Sequence, residues 1–226
     1  MAVRSSARIR AVAEILQRTY GLRSWQPEED ILSQLIKTIL SQNTSDTNSL
    51  RAFHRLRERY PAWHEVHRAT RFQVADAIRS GGLADIKAGR IKKILTQIYR
   101  ECPDGDLTFL ESWTTDRIRE YLRRFEGVGE KTIACVLLFA MGRPVMPVDT
   151  HVRRVSQRLG LIPPKTDAIA AHRLLQEAVP PSLVYSFHLH LIEHGRKLCR
   201  ARKPLCRQCP LRKDCRAYRE GWPQIS

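Results

Sequence analysis

Four cysteines near the C-terminus, Cys199, Cys206, Cys209 and Cys215, form a C-x6-C-x2-C-x5-C run. Neighbouring thiolates repel one another, so four of them in one short segment need a cation between them, either a metal ion or a cluster. A disulfide framework is the simpler alternative. It fits poorly, because a chain of 226 residues needs no staples to build a core and its basic opening, MAVRSSARIR, lacks the apolar centre of a secretory signal. Structural zinc usually sits between two short C-x2-4-C knuckles. Only one such knuckle, Cys206 to Cys209, is present here, which favours an iron–sulfur cluster on spacing while leaving zinc open. Cys102 and Cys135 stand apart and read as small apolar core residues in a reducing cytosol.

The rest of the chain reads as helix after helix, with no convincing strand. In 27–41, Pro27 and the acids Glu28, Glu29 and Asp30 suit a helix start, and Ile31, Leu32, Leu35, Ile36, Ile39 and Leu40 then mark one buried face. Residues 46–60 repeat the pattern more weakly and stop before Pro61. After Gly81-Gly82, residues 84–101 place Ile86, Ile91, Ile94, Leu95 and Ile98 inward and their lysines outward. Further helices are expected at 115–124, 130–141, 150–159, 166–178 and 182–198. No repeat or low-complexity linker interrupts them, so the pattern predicts a compact all-α chain of helical lobes.

Lys and Arg total 39 against 23 Asp and Glu, a net charge of +16. That sign and size point to a polyanionic partner, nucleic acid first; a membrane is the weaker reading, since no apolar stretch approaches the length of a span.

Two further segments carry chemistry. Gly127-Val128-Gly129 lies between helical stretches and is short enough for only a tight hairpin, with glycine at both ends free to take left-handed angles. The helix that follows begins at Glu130, so its unpaired amides face the hairpin and favour a phosphate there. An ordinary turn between two helices would also use these glycines. Lys131 sits on the first turn of that helix, where partial burial and the helix dipole disfavour the ammonium and free the amine as a nucleophile. A lysine reaching out to solvent or to phosphate is the plainer alternative. In 147–151, Pro-Val-Asp-Thr-His, Asp149 precedes a helical run and reads as its N-cap. A carboxylate held this way could also face a bound sugar, so capping and catalysis are compatible.

FEGVGEKT, then PVDTHVRRVSQRLGL, then HGRKLCRARKPLCRQCPLRKDC resembles the helix–hairpin–helix DNA glycosylases, specifically the endonuclease III branch, from about residue 28 to residue 217. The resemblance implies an all-α fold of two lobes, 28–143 with the hairpin, and 1–27 joined to 144–226. It implies a cleft with Lys131 on one side and Asp149 on the other, and a [4Fe–4S] cluster on Cys199, Cys206, Cys209 and Cys215. Residue by residue, Lys131 falls on the Schiff-base lysine and Asp149 on the shared aspartate. Gln42 and Asn43 match the loop that fills the gap left by an extruded base, and Leu83 the wedge that parts the strands. Gly127, Gly129, Thr132, His151, Arg200, Arg202 and Lys203 complete the implied DNA contacts. Glu126 stands where the family usually has proline, and Ala84 where it has an aromatic residue.

The function implied is a bifunctional glycosylase and abasic-site lyase for damaged, oxidised pyrimidines in duplex DNA. Such a protein would act as a monomer in the cytoplasm of a prokaryote, on the nucleoid. A glycosylase for mispaired uracil or thymine, or for modified cytosine, shares the same residues; the stretch also looks somewhat like the plant 5-methylcytosine glycosylases. A non-catalytic binder of distorted DNA would need neither Lys131 nor Asp149.

Overall fold

The computed structural model describes residues 6–222. Every regular element among them is helical. The chain divides into two compact units. One joins the chain up to Gln26 with the chain from Pro144 onward, and the other is Pro27–Arg143. The first contains α1 (Ser6–Tyr20). The second contains α2 (Ile31–Ser41), α3 (Asp46–Arg59), α4 (Trp63–Arg68), α5 (Arg71–Ala77), α6 (Ala84–Glu101), α7 (Thr115–Arg123) and α8 (Glu130–Cys135). The first unit resumes with α9 (Thr150–Leu159), α10 (Ala168–Ala178), α11 (Val184–Lys197) and the short α12 (Arg216–Arg219).

In the 27–143 unit, α2 is the central element. Ile31, Leu32, Leu35, Ile36, Ile39 and Leu40 are all buried, as their spacing requires. The helix starts four residues later than expected. Asp30 is its N-cap, accepting from Ser33 N at 2.8 Å and Ser33 Oγ at 2.6 Å, so Pro27 to Glu29 lie ahead of the helix. Two helices escaped sequence reading altogether: α4 and α5 run only 6 and 7 residues, too few for a periodic stripe to register. The expected helix 130–141 exists as α8 followed by a π-helical segment, Val136–Ala140.

Helix α6 departs most from its sequence pattern. Ile86, expected inside, is 51% exposed, and Lys87, expected outside, is 1% exposed. Lys87 Nζ donates to Leu40 O at 2.7 Å and Gly81 O at 2.8 Å. Burial, and then the charge of Arg90, push its ammonium down from the usual lysine range. Lys92 also turns inward, donating to Val66 O at 3.4 Å, to Ala69 O at 2.6 Å and to His67 O. It satisfies carbonyls that the end of α4 leaves unpaired. Only Lys93 points out as predicted, in an exposed pair with Glu126 at 2.6 Å.

In the other unit, α1 lays Ile9, Val12, Ala13 and Leu16 against α11, and α11 packs against α9. Gly195 allows the α9–α11 crossing: a Cβ there would stand 3.0 Å from His151 Cβ. Residues 1–5 of the basic opening lie outside the described residues; from Ser6 onward it is helix. Cys135 is buried, whereas Cys102 is only half-buried at the end of α6.

Ile36→Ala should cost about 2–5 kcal/mol in urea-unfolding experiments, the usual range for emptying a fully buried aliphatic site. Ile86→Ala should stay within about 0.5 kcal/mol, the reverse of what equal hydrophobicity on one helix would suggest.

Candidate active site and nucleic-acid interface

The hairpin joins α7 to α8. Gly127 has φ +79°, a conformation an L side chain rarely adopts, and a Cβ there would lie 2.8 Å from Arg90 Cδ. Gly129 is different. It is extended, with φ −99° and ψ −178°, so the expected left-handed angle occurs only at Gly127. A Cβ at Gly129 would meet nothing within 4 Å. Its bareness leaves open the approach to the first amides of α8, which have no partner within the helix.

Glu130, at the head of α8, is turned aside into ion pairs with Arg119 at 3.3 Å and with Arg123. The next residue, Lys131, is half-buried and makes no hydrogen bond or ion pair among the described residues. Beyond it Thr132, Ile133, Ala134, Cys135, Val136, Leu137 and Leu138 are all buried. Lys131 is therefore the point where the core helix meets the surface, with its amine uncommitted.

Two loops of this unit carry the residues matched to base-gap filling and strand parting. Gln42 follows α2, and its Nε2 donates to Gly127 O at 2.9 Å and lies 3.4 Å from Thr132 Oγ1. Its Oε1 accepts from Arg90 Nη1 at 2.9 Å. Gln42 is thus fastened to the hairpin, while the neighbouring Asn43 is exposed, with φ +53°. Thr132 is 3% exposed and lies behind Gln42. Leu83, with φ +50°, is 50% exposed at the head of α6, an unusual backbone conformation for a leucine.

In the other unit Asp149 caps α9, its Oδ1 accepting from Val152 N at 2.7 Å. Its second oxygen makes no hydrogen bond among the described residues. His151 is half-buried, with Nδ1 3.1 Å from Arg154 Nη2. Burial lowers its proton affinity, opposed by the Asp149 carboxylate. Arg154 continues to Gly195 O at 2.9 Å and Cys199 O at 3.1 Å.

Cys199, Cys206, Cys209 and Cys215 line a single cavity with Arg158, His194, Leu159 and Leu198. Burial pushes the Cys209 thiol up to about 11, and the neighbouring sulfurs Cys199, Cys215 and Cys206 add to the rise. Cys206 and Cys215 are raised by burial and then by Cys199. No three His, Cys, Asp or Glu side chains among the described residues are grouped to hold a single metal ion. Arg158 is 4% exposed; its Nη1 lies 3.5 Å from Cys199 Sγ and 2.6 Å from Arg200 O, and its Nη2 is 3.0 Å from Ala201 O. On the other flank His194 stands between Tyr20 OH at 2.9 Å and Cys209 Sγ at 3.6 Å. Burial holds His194 down to about 4, and burial followed by the Cys209 charge raises Tyr20 to about 12. Arg200, Arg202, Lys203 and Arg207 project from the loop between the cysteines, exposed and without ion pairs among the described residues.

Sequence reading missed Lys87, Arg90, Arg154, Arg158 and His194. One signal was available: Arg154 and Arg158 stand four apart on α9, where both can reach the same neighbour. Arg90 and His194 act on partners far away in sequence, and Lys87 has one acceptor 47 residues away, at Leu40, and a nearer one at Gly81.

No helix among the described residues is long and apolar enough to cross a membrane. Residues 36–181 match the family model of the HhH-GPD superfamily base excision DNA repair proteins. The chain is 38% identical over 172 residues to an Arabidopsis thaliana protein provisionally named a DNA glycosylase, covering 76% of this chain and 58% of that one. It is 34% identical over 193 residues to endonuclease III of Sulfolobus acidocaldarius, covering 84% and 83%. Among solved structures, a trapped covalent intermediate of endonuclease III with DNA superposes with a TM-score of 0.82 at 27% identity, over 96% of this chain and 99% of the other. Because the family model runs through the hairpin, Lys131 and Asp149, and the endonuclease III likeness extends along most of both chains, this chain belongs to the HhH-GPD superfamily of base excision DNA repair proteins.

Proposed function

We propose that the enzyme is a bifunctional DNA glycosylase and abasic-site lyase that removes damaged, oxidised pyrimidines from duplex DNA. The observation that carries this reading is Lys131: a half-buried amine without a protein partner, on the first turn of a core helix beside a hairpin whose glycine is bare. The related endonuclease III is captured covalently bound to DNA, and Lys131 is the group suited to form such a bond here.

In the proposed reaction the hairpin amides and the exposed arginines hold phosphates while the damaged nucleotide swings out of the stack. Leu83 enters the duplex, and Asn43, beside the anchored Gln42, fills the vacated space. Neutral Lys131 Nζ attacks C1′ of the deoxyribose, and the glycosidic bond breaks with its electron pair leaving on the base, which takes up a proton. The amine loses a proton and the sugar ring opens to a protonated imine. Loss of a proton from C2′ then expels the 3′ phosphate oxygen by β-elimination, and water releases the lysine. Asp149 stabilises the cationic sugar and moves protons through the carboxylate oxygen that its cap leaves free. A binder of distorted DNA would need neither group.

The cysteine quartet fits a [4Fe–4S] cluster. Four free thiols line one cavity, burial and then their mutual repulsion raise the cost of ionising Cys206, Cys209 and Cys215, and a buried arginine reaches one sulfur. A single zinc is the alternative partner for four thiolates, and it would hold all of them on one ion. A cluster spreads its thiolates over separate irons. When bound it would supply a structural tie, and it could exchange electrons. Cys199, Cys206, Cys209 and Cys215 would hold it, and the loop they anchor would present Arg200, Arg202 and Lys203 to phosphate. The protein would work as a monomer wherever duplex DNA is, which in a prokaryote is the nucleoid.

Lys131→Gln should lose strand nicking and borohydride trapping on abasic DNA while retaining binding. Persistent cross-linking would place the nucleophile elsewhere. Lys87 is disqualified by its burial and its two carbonyl partners, which leaves the exposed Lys165 as the next to test.

Asp149→Asn should slow base excision by roughly 10²-fold, the usual scale for a charge-stabilising or proton-transfer group. Asparagine caps helices nearly as well, so melting temperature should hold. A parallel collapse of melting and activity would leave Asp149 with only its structural role. A panel of duplexes carrying oxidised pyrimidines, mispaired uracil or thymine, or modified cytosine tests the base preference. Fastest excision outside the oxidised set would overturn that part of the reading.

Protein purified anaerobically should be yellow-brown, with broad absorbance near ~400 nm and about four irons per chain. Cys206→Ser or Cys209→Ser should bleach it and weaken DNA binding; Cys102→Ser and Cys135→Ser should not bleach it. Colourless protein containing one zinc would refute the cluster without touching the lysine chemistry.

A further inference from the structure

Among the described residues Lys87 is one of the twelve largest fully buried side chains, at 1% exposure, and the only one of the twelve that carries a charge. A leucine or methionine would fill that site without the penalty of burying an ammonium. What only a long cation can do is bond two carbonyls from different elements, and Lys87 Nζ does this, reaching Leu40 O at 2.7 Å and Gly81 O at 2.8 Å. Leu40 lies two residues before Gln42, in the last turn of α2. Gly81 ends the 3-10 turn Arg79–Gly81, two residues before Leu83.

Each loop turns sharply just past the carbonyl that Lys87 holds. Asn43 has φ +53° and Leu83 φ +50°, two of only four non-glycine residues in left-handed backbone among the described residues. Such angles are disfavoured for a side chain as bulky as leucine and persist only where the surroundings enforce them. Gly81 is itself pressed close, with a Cβ there lying 3.0 Å from Ala52 Cβ of α3. One turn further along α6, Arg90 grips Gln42 Oε1 at 2.9 Å.

The geometry points to Lys87 as a positioning residue that sets the spacing between the Gln42–Asn43 loop and the Leu83 wedge, so that the two enter the duplex as one rigid pair. This rests on the reading of those loops as DNA-inserting. Strand parting and gap filling are then a single event, because neither loop can shift without breaking a bond to the shared ammonium.

The test uses Lys87→Met, which keeps length and apolar bulk but removes the donors. Each protein is mixed with a duplex holding a tetrahydrofuran abasic analogue beside 2-aminopurine, whose fluorescence rises when its base unstacks. Leu83→Ala and Asn43→Ala should each blunt the rise. Lys87→Met should blunt it as much and slow excision from duplex by roughly 10²-fold, the scale expected when a misplaced group must realign. Its borohydride trapping on single-stranded abasic DNA, where no strands need parting, should be unchanged. A native fluorescence rise with native excision in Lys87→Met would overturn the inference, as would equal loss of single-strand trapping, which marks general damage. Should Lys87→Met fail to fold, the double variant Asn43→Ala/Leu83→Ala in the native background decides. The two effects should be strongly non-additive if the loops move as a pair, and strict additivity refutes the coupling. If neither single variant alters the fluorescence, the loop reading itself falls. If both do and Lys87→Met does not, only the role of Lys87 falls.

Discussion

An ammonium taken out of water must find oxygen acceptors, and around Lys87 the 27–143 unit supplies them from the chain itself. The acceptors are carbonyls that helix ends leave unpaired and that carry the negative end of the helix dipole. Helix α6 makes repeated use of this. Lys87 takes the end of α2 and the end of the Arg79–Gly81 turn, Lys92 takes the end of α4, and Arg90 takes the side chain that follows α2. One helix thereby fixes where three others stop. The two loops matched to DNA contact follow two of those stops, and Gln42 ties the first of them to the hairpin, so α6 helps to place all three.

The unit that carries the cysteines follows the same logic with arginines. Arg154 and Arg158 on α9 donate to Gly195, Cys199, Arg200 and Ala201 carbonyls, at the close of α11 and the opening of the cysteine loop. Arg8 on α1 does likewise to Leu159 O at 2.9 Å and Asp214 O at 2.6 Å. A net charge of +16 therefore has two parts. Some cations are internal fasteners, bound to backbone oxygen and unable to reach a phosphate. Others, Arg200, Arg202, Lys203 and Arg207, are exposed and unpaired among the described residues. Only the second group should contribute to salt-dependent binding of a polyanion, so the electrostatic footprint is smaller than composition suggests.

This division explains what could be read in the sequence. The buried face of α2, the Asp149 cap, the left-handed Gly127 and the helical start at Glu130 are local features, each encoded within a few residues, and the structure contains all of them. The inward turn of Lys87 and Lys92 was not legible, because periodicity treats lysine as outward and their acceptors lie up to 47 residues away. Ile86 was misplaced for the converse reason: it matched the apolar spacing, but it belongs to the first turn of α6 beside the exposed Leu83, where nothing covers it. Gly129 looks in sequence like a second left-handed glycine, but it is extended and a Cβ there would meet nothing within 4 Å. The short α4 and α5 lacked the length for any periodic signal.

Aspartate caps recur in this chain, and comparing them shows what is available at Asp149. Asp30 spends both oxygens on Ser33, one on its amide and one on its hydroxyl, so that carboxylate is fully committed to starting α2. Asp149 spends only Oδ1, on Val152 N. The capped oxygen restricts how the carboxylate can turn, and the second oxygen has no hydrogen-bond partner among the described residues. A freely rotating surface aspartate would have to be ordered at each turnover, with the entropic cost that implies. An N-cap has met that cost in folding. The structural role of Asp149 is thus a condition for a catalytic one, and the same economy applies to Lys131, which is oriented by a helix whose next seven residues are core.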